Sequence, residues 1–273
     1  DKNGEPTGIV KDAAMNLVIN AIPPPTAEQL DQYFDAAAKY AVERGVTNVN
    51  DMNSYGGWSD LETYKRAWKT DRMILRMYSF VPLATWERMD SFVQKNGKGD
   101  DMLHWGGLKG YVDGSLGSTT AWFHQPYLDD PGTNGLFITD TSLLRKWVLG
   151  ADKAGLHLGV HAIGDKANDF ILSVYEEAAK TNGVRDRRFR VEHAQHVSPE
   201  TIDQFAKQGL STAGFLPRNP TCESCIKRSN LITTIIPKEL RPWRLCTNRK
   251  LCAWYLNIEL EDLNEPYIPN QNF

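Results

Sequence analysis

Three short apolar stretches of the sequence each carry a side chain that can bind a metal ion or transfer a proton. Lys109 lies within the stretch 106–114, and His161 and His193 each stand at the end of a later stretch. Neutral imidazoles on successive strands are typical zinc ligands, although a single histidine at a strand end is more often structural. If the stretches are parallel strands, their carboxyl ends meet, so we expect one shared site. In a regular strand Glu192 would point to the face opposite to His193, where it would serve as a structural partner.

Lys109 has two interpretations, because an ammonium group inside an apolar strand is costly to bury unless it is paired or chemically altered. The first is an ion pair with Asp113, which the spacing alone favours. The second is a lysine carbamate, an anionic oxygen ligand made from carbon dioxide, which would bridge two metal ions.

Acidic and hydroxyl side chains follow the apolar stretches. Residues 113–118 read Asp-Gly-Ser-Leu-Gly-Ser, which forms either a plain turn or a segment whose glycines allow close approach of a substrate. We take Asp113 as a candidate catalytic residue, and Ser115 and Asp165 as candidate substrate-binding residues. Asp51, at the end of an earlier strand, either binds substrate or caps the next loop, and the cap is favoured.

The elements that would position these residues alternate between amphipathic helix and apolar strand. The periodicity predicts helices over 27–44, 58–71, 85–95, 141–155, 166–183 and 198–209, and strands over 46–52, 73–81, 106–114, 157–165 and 188–195. The long loop 115–140 is typical of a lid or a substrate wall. We therefore predict an α/β fold, an incomplete (β/α)8 TIM-type barrel of the metal-dependent hydrolase kind, with an open doubly wound sheet as the alternative.

This alternating pattern ends near residue 210. We predict a partial barrel over 1–210, holding about strands 2 to 6, and an irregular tail over 211–273. The tail contains all four cysteines, of which the Cys222-x-x-Cys225 pair is a good zinc half-site and the pair Cys246 and Cys252 a poor one. A shifted reading frame or an unspliced intron would explain such a tail.

The net charge and the lengths of the apolar runs give no support for a nucleic-acid or membrane partner. A net charge of −3 gives no electrostatic reason to expect nucleic acid or an anionic membrane surface. No apolar run approaches the roughly 18 residues of a membrane helix. We expect a cytoplasmic protein that binds a small-molecule substrate, and a homo-oligomer is left open.

Several short motifs, in order, resemble one family. They are Gly-Leu-Lys-Gly-Tyr-Val-Asp-Gly-Ser-Leu-Gly-Ser (107–118), Val-His-Ala-Ile-Gly-Asp (160–165) and Val-Glu-His-Ala-Gln (191–195). Together they resemble the YtcJ-like branch of the amidohydrolase superfamily, metal-dependent hydrolases related to N-substituted formamide deformylase. The resemblance implies hydrolysis of an amide or another C–N bond by a metal-bound water. It also implies that His161 and His193 are ligands of a divalent metal, with zinc as the expected ion and one or two ions in the complete enzyme, and that Lys109 is the residue carbamylated in the family.

The sequence also departs from the family pattern. It contains no His-x-His pair, which the family carries on its first strand, and no match to the family's eighth-strand aspartate. We therefore expect an amidohydrolase-like chain that is incomplete and of low or no activity by itself. The alternative is a non-catalytic or truncated barrel that binds a small molecule, and metal retention discriminates between the two.

Overall fold

The computed structural model describes residues 5, 8–10, 15–52 and 56–213. The four cysteines, and with them the zinc half-site considered above, lie outside the described residues. So does the predicted irregular tail beyond residue 213.

Six parallel strands form a single sheet, and each strand pairs with the next one along the chain. A doubly wound sheet reverses its strand order at a switch point, whereas a barrel adds strands in sequence. The sequential order therefore confirms the predicted incomplete barrel. The strands are β1 (Asn48–Asp51), β2 (Arg76–Pro82), β3 (Leu103–Tyr111), β4 (His157–Ala162), β5 (Arg190–His193) and β6 (Ser211–Ala213).

A helix lies between each strand and the next. The helices are α1 (Asn16–Ile19), α2 (Ala27–Val42), α3 (Trp58–Lys69), α4 (Trp86–Asn96), α5 (Thr141–Lys153), α6 (Asp165–Asn182) and α7 (Pro199–Gln208), with a 3-10 turn at Leu83–Thr85. Helix α1 precedes the first helix that the periodicity predicts, and β6 continues the sheet beyond the boundary predicted at residue 210.

Helices α2 and α7 begin at residues whose side chains cap them. The Thr26 side chain accepts a hydrogen bond from the Gln29 amide, and the Gln29 side chain bonds back to the Thr26 amide, a complete capping box. Ser198 caps α7 by accepting from the Thr201 amide, with proline in the first turn. Local hydrogen bonds thus set where these helices start.

The two faces of the sheet differ in chemistry. On the helix side, Leu108, Val160 and Val191 are fully buried in the hydrophobic core. Gly110 also faces this side, since a Cβ there would meet Leu144 of α5. The opposite face, here called the inner face, carries the polar residues described below. Side-chain alternation along parallel strands therefore separates an apolar packing layer from a face that also carries polar side chains.

Within the described part of the chain, no helix is long and apolar enough to cross a membrane.

Candidate active site

The two predicted histidine ligands meet at the carboxyl ends of adjacent strands. The ring centroids of His161, on β4, and His193, at the end of β5, lie 4.6 Å apart with their planes at 73°. His161 is buried and His193 is partly buried. The structure thus brings together two imidazoles at the end of the sheet where barrel enzymes place their chemistry.

His193 reaches this position through an unusual backbone conformation. In register it pairs with Ala162, a residue of the hydrophobic core on the helix side. Its φ is +75°, and that of Ala194 is +41°, so the chain leaves the extended conformation at this point. Positive φ is uncommon for residues other than glycine and is concentrated at functional sites. The turn places the His193 ring beside the ring of His161.

Lys109 lies on the inner face, two residues before the end of β3, and only 5% of it is exposed. Its Nζ donates to the Gly110 carbonyl oxygen at 3.2 Å and lies 3.7 Å from the centroid of the Tyr111 ring. Burial lowers the pKa of Lys109 to about 7, although the Glu192 and Asp113 carboxylates act in the opposite direction. Lys109 therefore makes no direct ion pair with Asp113, which the spacing had favoured.

Glu192 lies on the face opposite to the one expected. The register aligns Tyr111, His161 and Glu192, so these side chains share the inner face. The Glu192 carboxylate accepts two hydrogen bonds from Arg190, at 2.8 and 3.2 Å. The expectation that Glu192 points away from the site was wrong because it assumed a regular strand through His193. Its structural partner, Arg190, was missed, although an Arg-x-Glu spacing already places both on one face of a strand.

Asp113 is 1% exposed, and both of its carboxylate oxygens accept backbone hydrogen bonds. Oδ1 accepts from the Ile163 amide at 3.0 Å, and Oδ2 accepts from the amides of Trp122 at 2.8 Å and Gly164 at 2.9 Å. The Nε2 atom of His161 lies 3.4 Å from Oδ1. The structure brings Asp113 to the site, while its direct participation in catalysis stays a prediction.

The predicted substrate-binding residues lie in loops at or near the same end of the sheet. The Ser115 hydroxyl bonds the Ser118 hydroxyl at 2.8 Å, within the turn after β3. Asp165, the first residue of α6, accepts from the His124 amide at 2.9 Å and so ties the long loop to this helix. Asp51 ends β1 and accepts from the Tyr64 hydroxyl at 2.9 Å. Their contact with a substrate remains a prediction.

The donor atoms fit part of a metal site. The Nε2 atom of His161 lies 2.8 Å from the Gly114 carbonyl oxygen, an acceptor, so Nε2 carries the proton and Nδ1 keeps its lone pair. Burial, with His161 and Lys109 nearby, lowers the pKa of His193 to about 4, which leaves this ring neutral at pH 7. Neutral rings are the form that binds metal. Among the described residues, no group of three or more His, Cys, Asp or Glu side chains is placed to hold an ion.

Comparison with known proteins identifies one matching family and several similar proteins. A sequence profile described as "Amidohydrolase family" matches residues 1–248. The chain is 42% identical over 214 residues to Protein LONG AFTER FAR-RED 3 of Arabidopsis thaliana, covering 75% of this chain and 37% of that protein. It is 32% identical over 214 residues to the putative amidohydrolase YtcJ of Bacillus subtilis, covering 77% and 39%. A crystal structure of an uncharacterized metal-dependent hydrolase from Pyrococcus furiosus superimposes with a TM-score of 0.63 and 26% identity, over 73% of this chain and 40% of that one. The chain thus spans about two fifths of the length of the proteins it matches.

Proposed function

Because the chain belongs to the amidohydrolase family, we propose that it supplies part of an active site that hydrolyses an amide, a formamide or another C–N bond with a divalent metal. One observation carries the proposal: two imidazoles lie 4.6 Å apart at the carboxyl ends of adjacent strands, with a buried lysine on the neighbouring strand. A bound metal lowers the pKa of a water molecule and polarises the carbonyl group of a substrate.

In this proposal His161 and His193 are metal ligands, and zinc is the expected ion. Hydrogen bonding to Gly114 holds His161 with Nδ1 available. Lys109, with a pKa lowered to about 7, has a sizeable neutral amine fraction near neutral pH. Its Nζ can form a bond to the carbon of carbon dioxide and release a proton, which yields an anionic carbamate. Burial without a carboxylate ion pair favours this change, since it replaces a poorly paired cation with a metal ligand.

The described residues supply two histidines and one lysine, and a complete catalytic site needs further ligands. We therefore expect little or no turnover by this chain alone. The second candidate function is a non-catalytic barrel that binds a small molecule.

Metal binding tests the proposal. The chain is dialysed against zinc, and bound metal is measured by elemental analysis for the unaltered protein, for His161→Ala and His193→Ala, and for His157→Asn as matched control. His157 lies at the opposite end of β4, where its ring bonds the Tyr78 hydroxyl at 2.9 Å. We expect zinc to be lost in both site variants and kept in the control.

Two other outcomes have distinct meanings. If the unaltered chain binds no zinc, the metal-dependent function is wrong for this chain and the non-catalytic barrel is favoured. If zinc survives in both site variants, the ion is held elsewhere, with the four cysteines as the first place to look. A carbamate carbon signal from labelled bicarbonate, absent in Lys109→Met, would test the role of Lys109 separately.

A further inference from the structure

Asp113 connects three segments of the chain beside the candidate metal ligand His161. Its carboxylate accepts the amide of Trp122, in the long loop, and the amides of Ile163 and Gly164, in the turn between β4 and α6. Asp113 itself follows β3. Three backbone segments that are distant in sequence therefore converge on one side chain.

The segment that follows β3 also contacts the ring of His161. The Gly114 carbonyl oxygen, next to Asp113, lies 2.8 Å from Nε2, and Oδ1 of Asp113 lies 3.4 Å from the same atom. Both are hydrogen-bond acceptors, so they favour the ring form that carries its proton on Nε2. Partners of this kind fix the tautomer and the orientation of an imidazole that binds a metal through its other nitrogen.

We propose that Asp113 is a positioning residue, which holds His161 in the orientation and tautomer needed for metal binding rather than reacting with the substrate. This inference rests on the proposed function for its benefit to metal binding. The carboxylate is suited to such a role because both oxygens are occupied by backbone amides. It therefore fixes the strand end, the turn and the long loop as one unit, and Gly114 is held in place to accept from His161.

The test uses Asp113→Asn, which keeps the shape of the side chain but replaces one accepting oxygen with a donor. The new NH2 group is a donor, so it cannot accept a hydrogen bond from the backbone N–H that it faces. The matched control is Asp100→Asn, because Asp100 lies just before the amino end of β3 and also accepts two amides, those of Met102 and Leu103, at 2.8 and 2.9 Å. It differs in being exposed and in lying at the other end of the strand from His161.

Zinc affinity is the first measurement. We expect Asp113→Asn to weaken zinc binding by about 10- to 100-fold, the usual cost of losing an outer-shell partner, with Asp100→Asn unchanged. Equal zinc affinity in the unaltered protein and in folded Asp113→Asn would overturn the proposal. Equal weakening by both variants would also overturn it, since that result indicates a general structural effect.

The second measurement is the tautomer of His161, read from nitrogen-15 NMR of the imidazole rings in the metal-free protein. We expect the Nε2–H form in the unaltered chain and a mixture of forms in Asp113→Asn. A purely structural role would lower stability without changing the tautomer.

The tautomer measurement also covers the case in which Asp113→Asn does not fold. In that case the tautomer of the unaltered protein tests the proposal by itself, because a dominant Nδ1–H form of His161 contradicts the proposed geometry. If the unaltered chain binds no zinc, the proposed function fails, yet the tautomer still shows whether Asp113 and Gly114 orient the ring. The two failures are thereby distinguishable.

Discussion

Asp113 and Asp152 are both 1% exposed, yet they are held by different kinds of partner. Asp113, at the carboxyl end of the sheet, accepts three backbone amides. Asp152, at the end of α5, is bound by the guanidinium groups of Arg185 and Arg187 and by the Asn182 amide group. One carboxylate is surrounded by peptide groups and the other by opposite charges.

This difference indicates two separate uses of a buried charge. The ion pairs of Asp152 join α5 to the segment that leads from α6 into the amino end of β5, the end opposite to His193, so they serve the fold. The amides around Asp113 come from loops that border the site, so this residue sets local backbone geometry. Changes at Asp152 should alter stability alone, whereas changes around Asp113 should alter the site.

The largest effect is expected for Asp152→Ala. Removing this carboxylate leaves two guanidinium groups without their buried partner, which costs about 3–5 kcal/mol for such pairs. Chemical denaturation should show this loss of unfolding free energy, while zinc affinity of the folded protein stays unchanged. A variant with normal stability and weak zinc binding would reverse the assignment of the two regions.

The same variant gives a pH test. Burial raises the pKa of Asp152, but hydrogen bonds from Arg187, Arg185 and Asn182 outweigh burial and hold it below the usual 3.8. A depressed pKa in the fold stabilises the protein above the unfolded value and loses this effect as pH falls through the folded value. The stability gap between the unaltered protein and Asp152→Ala should therefore be full at pH 7 and shrink below about pH 4.

An intermediate effect is expected for Gly164→Ala. A Cβ at this position would overlap the carbonyl group of Trp122. Overpacking of this kind costs about 1–3 kcal/mol, and relief requires the long loop to move away from the start of α6. Amide hydrogen exchange at Trp122 should become faster, because its bond to Asp113 is weakened.

The control for this substitution is Gly117→Ala, in the same region. A Cβ on Gly117 meets no atom within 4 Å, so stability and exchange at Trp122 should be unchanged. If both alanine variants behave alike, close contact at Gly164 is not what holds the loop.

The smallest effect is expected at Asp60, a carboxylate that takes no part in the hydrogen bonds around Asp113 or in the ion pairs of Asp152. Burial, together with the charge of Asp51, raises the pKa of Asp60 to about 6. A raised pKa means that ionisation costs stability as pH increases from about 4 to 6, so Asp60→Asn should remove this cost. We expect a gain of about 1 kcal/mol at pH 7.5, since solvent screens a partly exposed charge, and none at pH 3.5. Thermal unfolding at the two pH values measures the difference.

Much of the fold could be predicted from local pattern. The apolar periodicity indicated helices close to those observed, and the alternation of helix and strand indicated a barrel-type sheet. The strand ends at His161 and His193 were also visible, since each follows an apolar stretch. These features depend on neighbours within a few residues, which the sequence displays directly.

The sequence by itself determined the order of elements, the two faces of the helices and the residue types available at the strand ends. Only the tertiary structure decided that Glu192 shares the inner face with His161, because that depends on the register between β4 and β5. The departure from the extended conformation at His193 then brings this ring to the same site. The tertiary structure also decided the partners of Asp113, which come from amides 9, 50 and 51 residues away. Backbone amides are the same in every residue except proline, so no residue type marks in advance which of them a buried carboxylate will bind.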